Sequence, residues 1–142
     1  KLGIAINSNQ IEVTSQNKVN GLDPVLPLTV FNLENNLPEL RASVNVDHRF
    51  SNGISLMFRL NHYGETTDER STQEKVDPAQ LIDIELSYKV SDKLSIVFGA
   101  NNILNAYPTE IETRVSQGMP YPRRSPLGYN GGILFTRLAY NF

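Results

Sequence analysis

The stretch Gly132–Phe142, GILFTRLAYNF, decides the fold. Its even positions read Gly, Leu134, Thr136, Leu138, Tyr140, Phe142, and its odd positions read Ile133, Phe135, Arg137, Ala139, Asn141. Side chains on a strand alternate faces, so one face is mostly apolar and ends in two aromatics, while the other is mixed and carries Arg137. A terminal aromatic pair on the apolar face suits the interfacial girdle of a membrane-spanning strand. The length suits it too, since a tilted strand needs about 9–11 residues to cross the hydrocarbon layer.

Four more segments share this pattern and length. Leu40–Phe50 alternates Leu40, Ala42, Val44, Val46, His48, Phe50 against Arg41, Ser43, Asn45, Asp47, Arg49. Ile54–Tyr63, Leu81–Val90 and Leu94–Asn101 alternate in the same way, and none of the five keeps the i, i+3, i+4 stripe of a helix. A sixth strand is expected from Leu2 towards Val13. Ser51-Asn52-Gly53 and Ser91-Asp92-Lys93 read as tight turns. The other joins, at about 15–39, 64–80 and 103–131, are long and show no obvious secondary structure. All three fall at one end of the resulting meander, as in outer-membrane barrels with short turns inside and long loops outside. The expected fold is therefore all-β, an antiparallel up-and-down meander of 5–6 strands forming the closing segment of a transmembrane β-barrel.

Composition narrows the function. The 142 residues carry 13 Lys+Arg against 15 Asp+Glu and no Cys. Near-balanced charge makes no electrostatic case for nucleic acid, and without Cys there are no disulfides, thiolate metal sites or thiol nucleophiles. Mean hydropathy is below zero, which a barrel tolerates because its strands alternate. The chain begins in strand-like sequence at Lys1 and reads as a piece of a longer precursor.

Most chemical side chains have ordinary readings. His48 and His62 sit at strand ends without a carboxylate at ligand spacing, so no metal is expected. Glu65, Asp68 and Glu69 lie in the polar stretch GETTDERSTQEK, read as a solvated loop. No serine-triad spacing, phosphate-cradling Gly loop or zinc motif occurs, and neither catalysis nor a cofactor is expected. Tyr121, Arg123 and Arg124, in MPYPRRSP, are the candidate ligand contacts, with Tyr121 between two prolines placed to stack. Tyr140 and Phe142 are the candidate membrane-interface residues.

Several of these segments resemble the TonB-dependent outer-membrane receptors. Leu94–Pro108, LSIVFGANNILNAYP, resembles their penultimate strand, closed by Asn102-Ile103-Leu104-Asn105 and Tyr107-Pro108. Ser125–Phe142, SPLGYNGGILFTRLAYNF, is similar to their final strand, with its Gly pair and terminal aromatic. Leu33–Ala42 and Asn61–Gly64 are also similar. The resemblance implies that residues 1–142 are the C-terminal part of a receptor barrel in the outer membrane of a Gram-negative cell, lacking the plug domain and earlier strands. It further implies active uptake of a scarce nutrient, an iron chelate, a corrinoid or an oligosaccharide. The implied partners are the TonB energy-coupling complex acting through the plug, outer-membrane lipid, the barrel-assembly machinery reading the C-terminal strand, and the small-molecule ligand. The alternative is a soluble or secreted β-sandwich binding domain, with the apolar faces buried between two sheets.

Overall fold

A computed structural model describes residues 1–69, 73–111, 118–122 and 125–142. Six strands form one antiparallel sheet: β1 (Leu2–Ser8), β2 (Leu40–Arg49), β3 (Ile54–Tyr63), β6 (Ala79–Lys89), β7 (Leu94–Asn101) and β8 (Ile133–Tyr140), paired in that order. Each strand neighbours the next along the chain, except that a small hairpin, β4 (Thr66–Glu69) with β5 (Gln73–Val76), is inserted between β3 and β6. The all-β meander read from the alternation is therefore present, with β3 and β7 on the expected bounds and β8 one to two residues shorter at each end.

The tight turns close as their sequences require. Gly53 has φ +85°, Phe50 N donates to Ile54 O at 2.8 Å, and Asn52 Oδ1 accepts from Ile54 N. At the second turn Val90 N donates to Leu94 O, and the Ser91 hydroxyl accepts from Lys93 N and Leu94 N. Both turns and both chain termini lie at one end of the sheet. The three long connections lie at the other.

Two of those connections are more ordered than their composition predicts. Residues 15–39 contain a helix, α1 (Pro27–Asn35), which packs on β4. It starts with Pro at its first position, where no N–H is needed, and has no side-chain N-cap; Asn36 N donating to Asn32 O closes its end. With nine residues and a weak apolar stripe it gives little periodic signal. The β4–β5 hairpin likewise replaces the expected bare loop. No helix among the described residues is long and apolar enough to cross a membrane.

Register places the apolar side chains in continuous rows. Leu2, Val46, Phe58, Ile84, Ala100 and Leu134 are directly opposed across all six strands. The next rows are His48, Leu56, Leu86, Phe98, Thr136 and then Ile54, Tyr88, Ile96, Leu138. Among the described residues nothing covers the outer strands of this face: Leu134 is 83 % exposed, Ile6 72 % and Leu2 68 %. The chain exposes 10081 Å², whereas a compact monomer of its 15.9 kDa mass would expose about 7400 Å². The sheet is not closed; β1 and β8 are free edges.

The opposite face is polar and largely self-satisfied. Asn45, Arg59 and Asp83 form one row. Arg59 Nε donates to Asn45 Oδ1 at 3.2 Å, and its guanidinium lies 3.8 Å from Asp83, whose side chain is only 17 % exposed. Two cations on this face rest on rings: Arg41 over Tyr63 at 5.9 Å and Arg137 over Phe135 at 5.7 Å. Phe135 covers its direct partner Gly99, where a Cβ would meet the ring at 2.2 Å.

Candidate functional site

Apart from Ala100, the buried apolar side chains among the described residues lie at the loop end: Val76, Ile111 and Leu127, with Pro38, Pro108 and the fully enclosed Pro122. The core of this chain therefore caps the sheet. Asp77 joins the connections on either side of β6 and β7, its N–H donating to Thr109 Oγ1 at 2.9 Å while the Thr109 hydroxyl donates to Asp77 Oδ2 at 3.3 Å. Ile111 N donates to Pro120 O, folding the 103–131 connection back on itself.

The cap is anchored by the Asn102–Asn105 corner. Both asparagines have left-handed backbones, φ +51° and +53°, a conformation that Asn tolerates better than most residues. Asn102 N donates to Asp83 Oδ1, the Asn102 amide bonds Ala106 N and O, and Asn105 N donates to Asn102 O. Asn105 Oδ1 accepts from Gly132 N at 2.9 Å, which fixes where β8 begins opposite β7. Gly131 (φ +67°) passes so close that a Cβ would stand 2.4 Å from both Asn105 Oδ1 and the Tyr107 hydroxyl. Gly131→Ala should therefore cost roughly 1–3 kcal/mol through the left-handed backbone and the overlap together. Chemical denaturation of the protein checks this; an unchanged midpoint would contradict the close approach.

Three tyrosines stack beside this corner. Tyr121 lies 6.2 Å from Tyr107 and 5.9 Å from Tyr129 between ring centroids, with interplanar angles of 19° and 9°. The Tyr129 hydroxyl donates to Pro122 O at 2.7 Å. Tyr121, the candidate stacking residue, thus stands in a three-ring ladder, half-buried, with Tyr107 and Tyr129 the more exposed members. Sequence reading missed those two as part of a cluster, because separations of 14 and 8 residues carry no periodic signal. Arg123 and Arg124 lie outside the described residues.

The remaining candidates fall elsewhere. Tyr140 and Phe142 lie at the tight-turn end on the apolar face, rings edge-to-face at 5.2 Å, far along β8 from the tyrosine ladder. His48 meets Phe50 edge-to-face at 4.3 Å on that same end. Among the described residues no three His, Cys, Asp or Glu side chains converge as a metal site would need. On the hairpin, Glu65 accepts from Lys75 Nζ at 2.8 Å and raises the Lys75 pKa. At the second turn the Lys89 ammonium, 2.7 Å away, lowers that of Asp92. The Lys75 pair is intact below the usual lysine range and is lost as pH rises through the raised value. The Asp92 pair is intact above the usual carboxylate range and is lost as pH falls through the depressed value. Both are exposed surface pairs of little weight.

Comparison of the chain with protein-family models, with curated proteins and with solved structures finds no match.

Proposed function

We propose that this chain is the closing segment of a transmembrane β-barrel and works in nutrient uptake as the C-terminal part of a TonB-dependent receptor in a Gram-negative outer membrane. One observation carries the membrane reading: an apolar face in register across six strands, uncovered, backed by a face of paired polar groups. A lipid-facing band with a polar lumen has this form. From Ile82 to Val90 the band runs about 27 Å along the strand, at ~3.4 Å per residue. Phe50, Tyr88, Tyr140 and Phe142 gather at its tight-turn end, as an interfacial aromatic girdle would.

The receptor assignment rests on the family resemblance, and the corner gives that resemblance a physical content. Asn102, Asn105 and the Gly131-Gly132 pair are among the residues that carry the likeness; Asn105 N donates to Asn102 O, and Asn105 Oδ1 accepts from Gly132 N between the last two strands. In this reading lipid meets the even-numbered face and a plug supplied by the rest of the receptor meets the odd-numbered face. TonB would act through that plug, and the assembly machinery would read β8. The ordered cap, with its tyrosine ladder, faces the outside and meets the small-molecule ligand, an iron chelate, a corrinoid or an oligosaccharide. A sandwich domain would need a second sheet over the apolar face, whereas the other described elements, α1 and β4–β5, pack on each other.

The topology has a direct test. Single cysteines at Thr67 and Met119 in the full-length receptor should react with a membrane-impermeant thiol reagent on intact cells. Cysteines at Asn52 and Asp92 should react only after the outer membrane is opened. Labelling of the tight turns from outside would invert the assignment.

A further inference from the structure

We propose that the polar face carries a binding site for a carboxylate flanked by hydroxyl groups, built at its loop end from Asn7, Arg41, Ser43, Asn61 and Tyr63. The proposal rests on the reading of that face as a lumen open at the loop end. It gives the ligand an acidic group, which the function proposed above leaves unspecified.

Two adjacent rows of the sheet make the site. Asn7, Arg41 and Tyr63 are directly opposed on β1, β2 and β3, and Ala5, Ser43 and Asn61 form the next row of the same face towards the tight turns. Opposed residues hold their Cβ atoms about 4.5–5.5 Å apart and diagonal ones about 7–8 Å. The polar tips therefore fall within reach of one small molecule. Together these residues line a depression of about 380 Å³, which the short Ala5 side chain does not fill.

The site differs from the rest of the polar face in having its donors unspent. Nearer the tight turns, Arg59 bonds Asn45 and stands beside Asp83. Arg41 makes no ion pair among the described residues; it rests against the Tyr63 ring, 5.9 Å from its centroid. A cation held against a ring keeps its N–H donors, and the guanidinium fork matches the two oxygens of a carboxylate. The Ser43 and Tyr63 hydroxyls and the Asn61 amide have no hydrogen-bond partner among the described residues. Asn7 Oδ1 accepts from Asn9 Nδ2 at 2.6 Å, which leaves the Asn7 NH2 as the free end of that amide. Hydroxyls and amides both donate and accept, as the hydroxyl groups of a ligand require.

Charge limits what the fork takes. A neighbouring depression shares Arg41 and is lined by Glu34 and Glu39. Glu34 Oε1 accepts from Val13 N at 2.9 Å, and neither carboxylate pairs with Arg41. Their field leaves room for one further negative charge beside Arg41 and opposes a multiply charged group such as a phosphate dianion.

The test uses the full-length protein in detergent micelles, with D-glucuronate as the probe and D-glucose as its match without the carboxylate. Phenylglyoxal modifies free guanidinium groups, and peptide mass spectrometry reads its rate at Arg41, Arg59 and Arg137 separately. Glucuronate at about 10 mM and above should slow the modification of Arg41 roughly threefold or more and leave Arg59 and Arg137 unchanged. Glucose should protect none of them. Asn61→Ala should leave Arg41 equally reactive without sugar and raise the glucuronate needed for half-protection roughly fivefold or more. Absence of protection by glucuronate would overturn the proposal. So would equal protection by sodium chloride at the same ionic strength, or an Arg41 already unreactive because another segment of the protein covers it. A spin label at Leu56, read in the same micelles with a detergent-soluble quencher, keeps the two readings apart. A quenched label with no protection of Arg41 would overturn this site and spare the membrane reading. Protection without quenching would overturn the lumen on which the proposal rests.

Discussion

Leu86→Arg should cost the membrane-inserted protein about 2–4 kcal/mol, the range for a cation placed on a lipid face at the bilayer midplane. Leu86 lies near mid-height of the apolar face, in the row of Leu56 and Phe98. Its neighbour Ser87 lies on the polar face beside Ser55 and Val97. Ser87→Arg should therefore cost no more than an ordinary surface substitution, within about 0.5 kcal/mol. The depth dependence separates lipid from a protein core. Leu94 is opposite Tyr140 in the last row of the sheet, so Leu94→Arg should cost only about 0–1 kcal/mol, because the interface accepts a snorkelling cation. Equilibrium denaturation in vesicles reads all three. Equal costs at Leu86 and Leu94 would point to a sandwich core, which has no such gradient.

Deleting Phe142 should separate assembly from stability. Its ring is exposed beyond the last strand and touches only Tyr140 among the aromatic rings. Removing it forfeits at most about 3 kcal/mol of apolar burial, even if lipid surrounds it fully. Inserted molecules should therefore denature almost as the parent does. The yield of surface-exposed protein should nonetheless fall sharply, if the terminal aromatic is the feature that the proposed assembly machinery reads. A soluble sandwich predicts the opposite outcome, a lowered melting temperature and no targeting defect. Full insertion of the truncated protein in cells would count against the assembly role proposed for β8.

Strands β2, β3, β6, β7 and β8 were legible because one physical rule, period-2 alternation, governs each of them over eight or more residues. Ile54–Tyr63 and Leu94–Asn101 are bounded by turn residues on at least one side, and their ends match the structure. Helix α1 was not legible. It lacks a side-chain cap and a strong apolar stripe, and it gains its place by packing on β4. The β4–β5 hairpin is built from Thr, Asp, Glu, Gln and Lys, whose composition reads as solvated loop whether or not the backbone pairs. At the loop end, Tyr121 was visible as a flanked aromatic, but its ladder depends on the Asn102–Asn105 corner bringing Tyr107 and Tyr129 to it. That corner was noticed as a likeness of residues. Its function as a lock on the start of β8 required the hydrogen bonds of Asn105 and the contact at Gly131.

Spin-label accessibility in the full-length protein, reconstituted in a bilayer, tests the central claim most directly. Labels at Leu56, Leu86 and Leu138 share the apolar face, and labels at Ser55, Ser87 and Arg137 share the other. A lipid-soluble quencher should reach the first three and not the second three. The reverse pattern, or equal access to both sets, would contradict a lipid-facing sheet and with it the membrane function proposed for this chain.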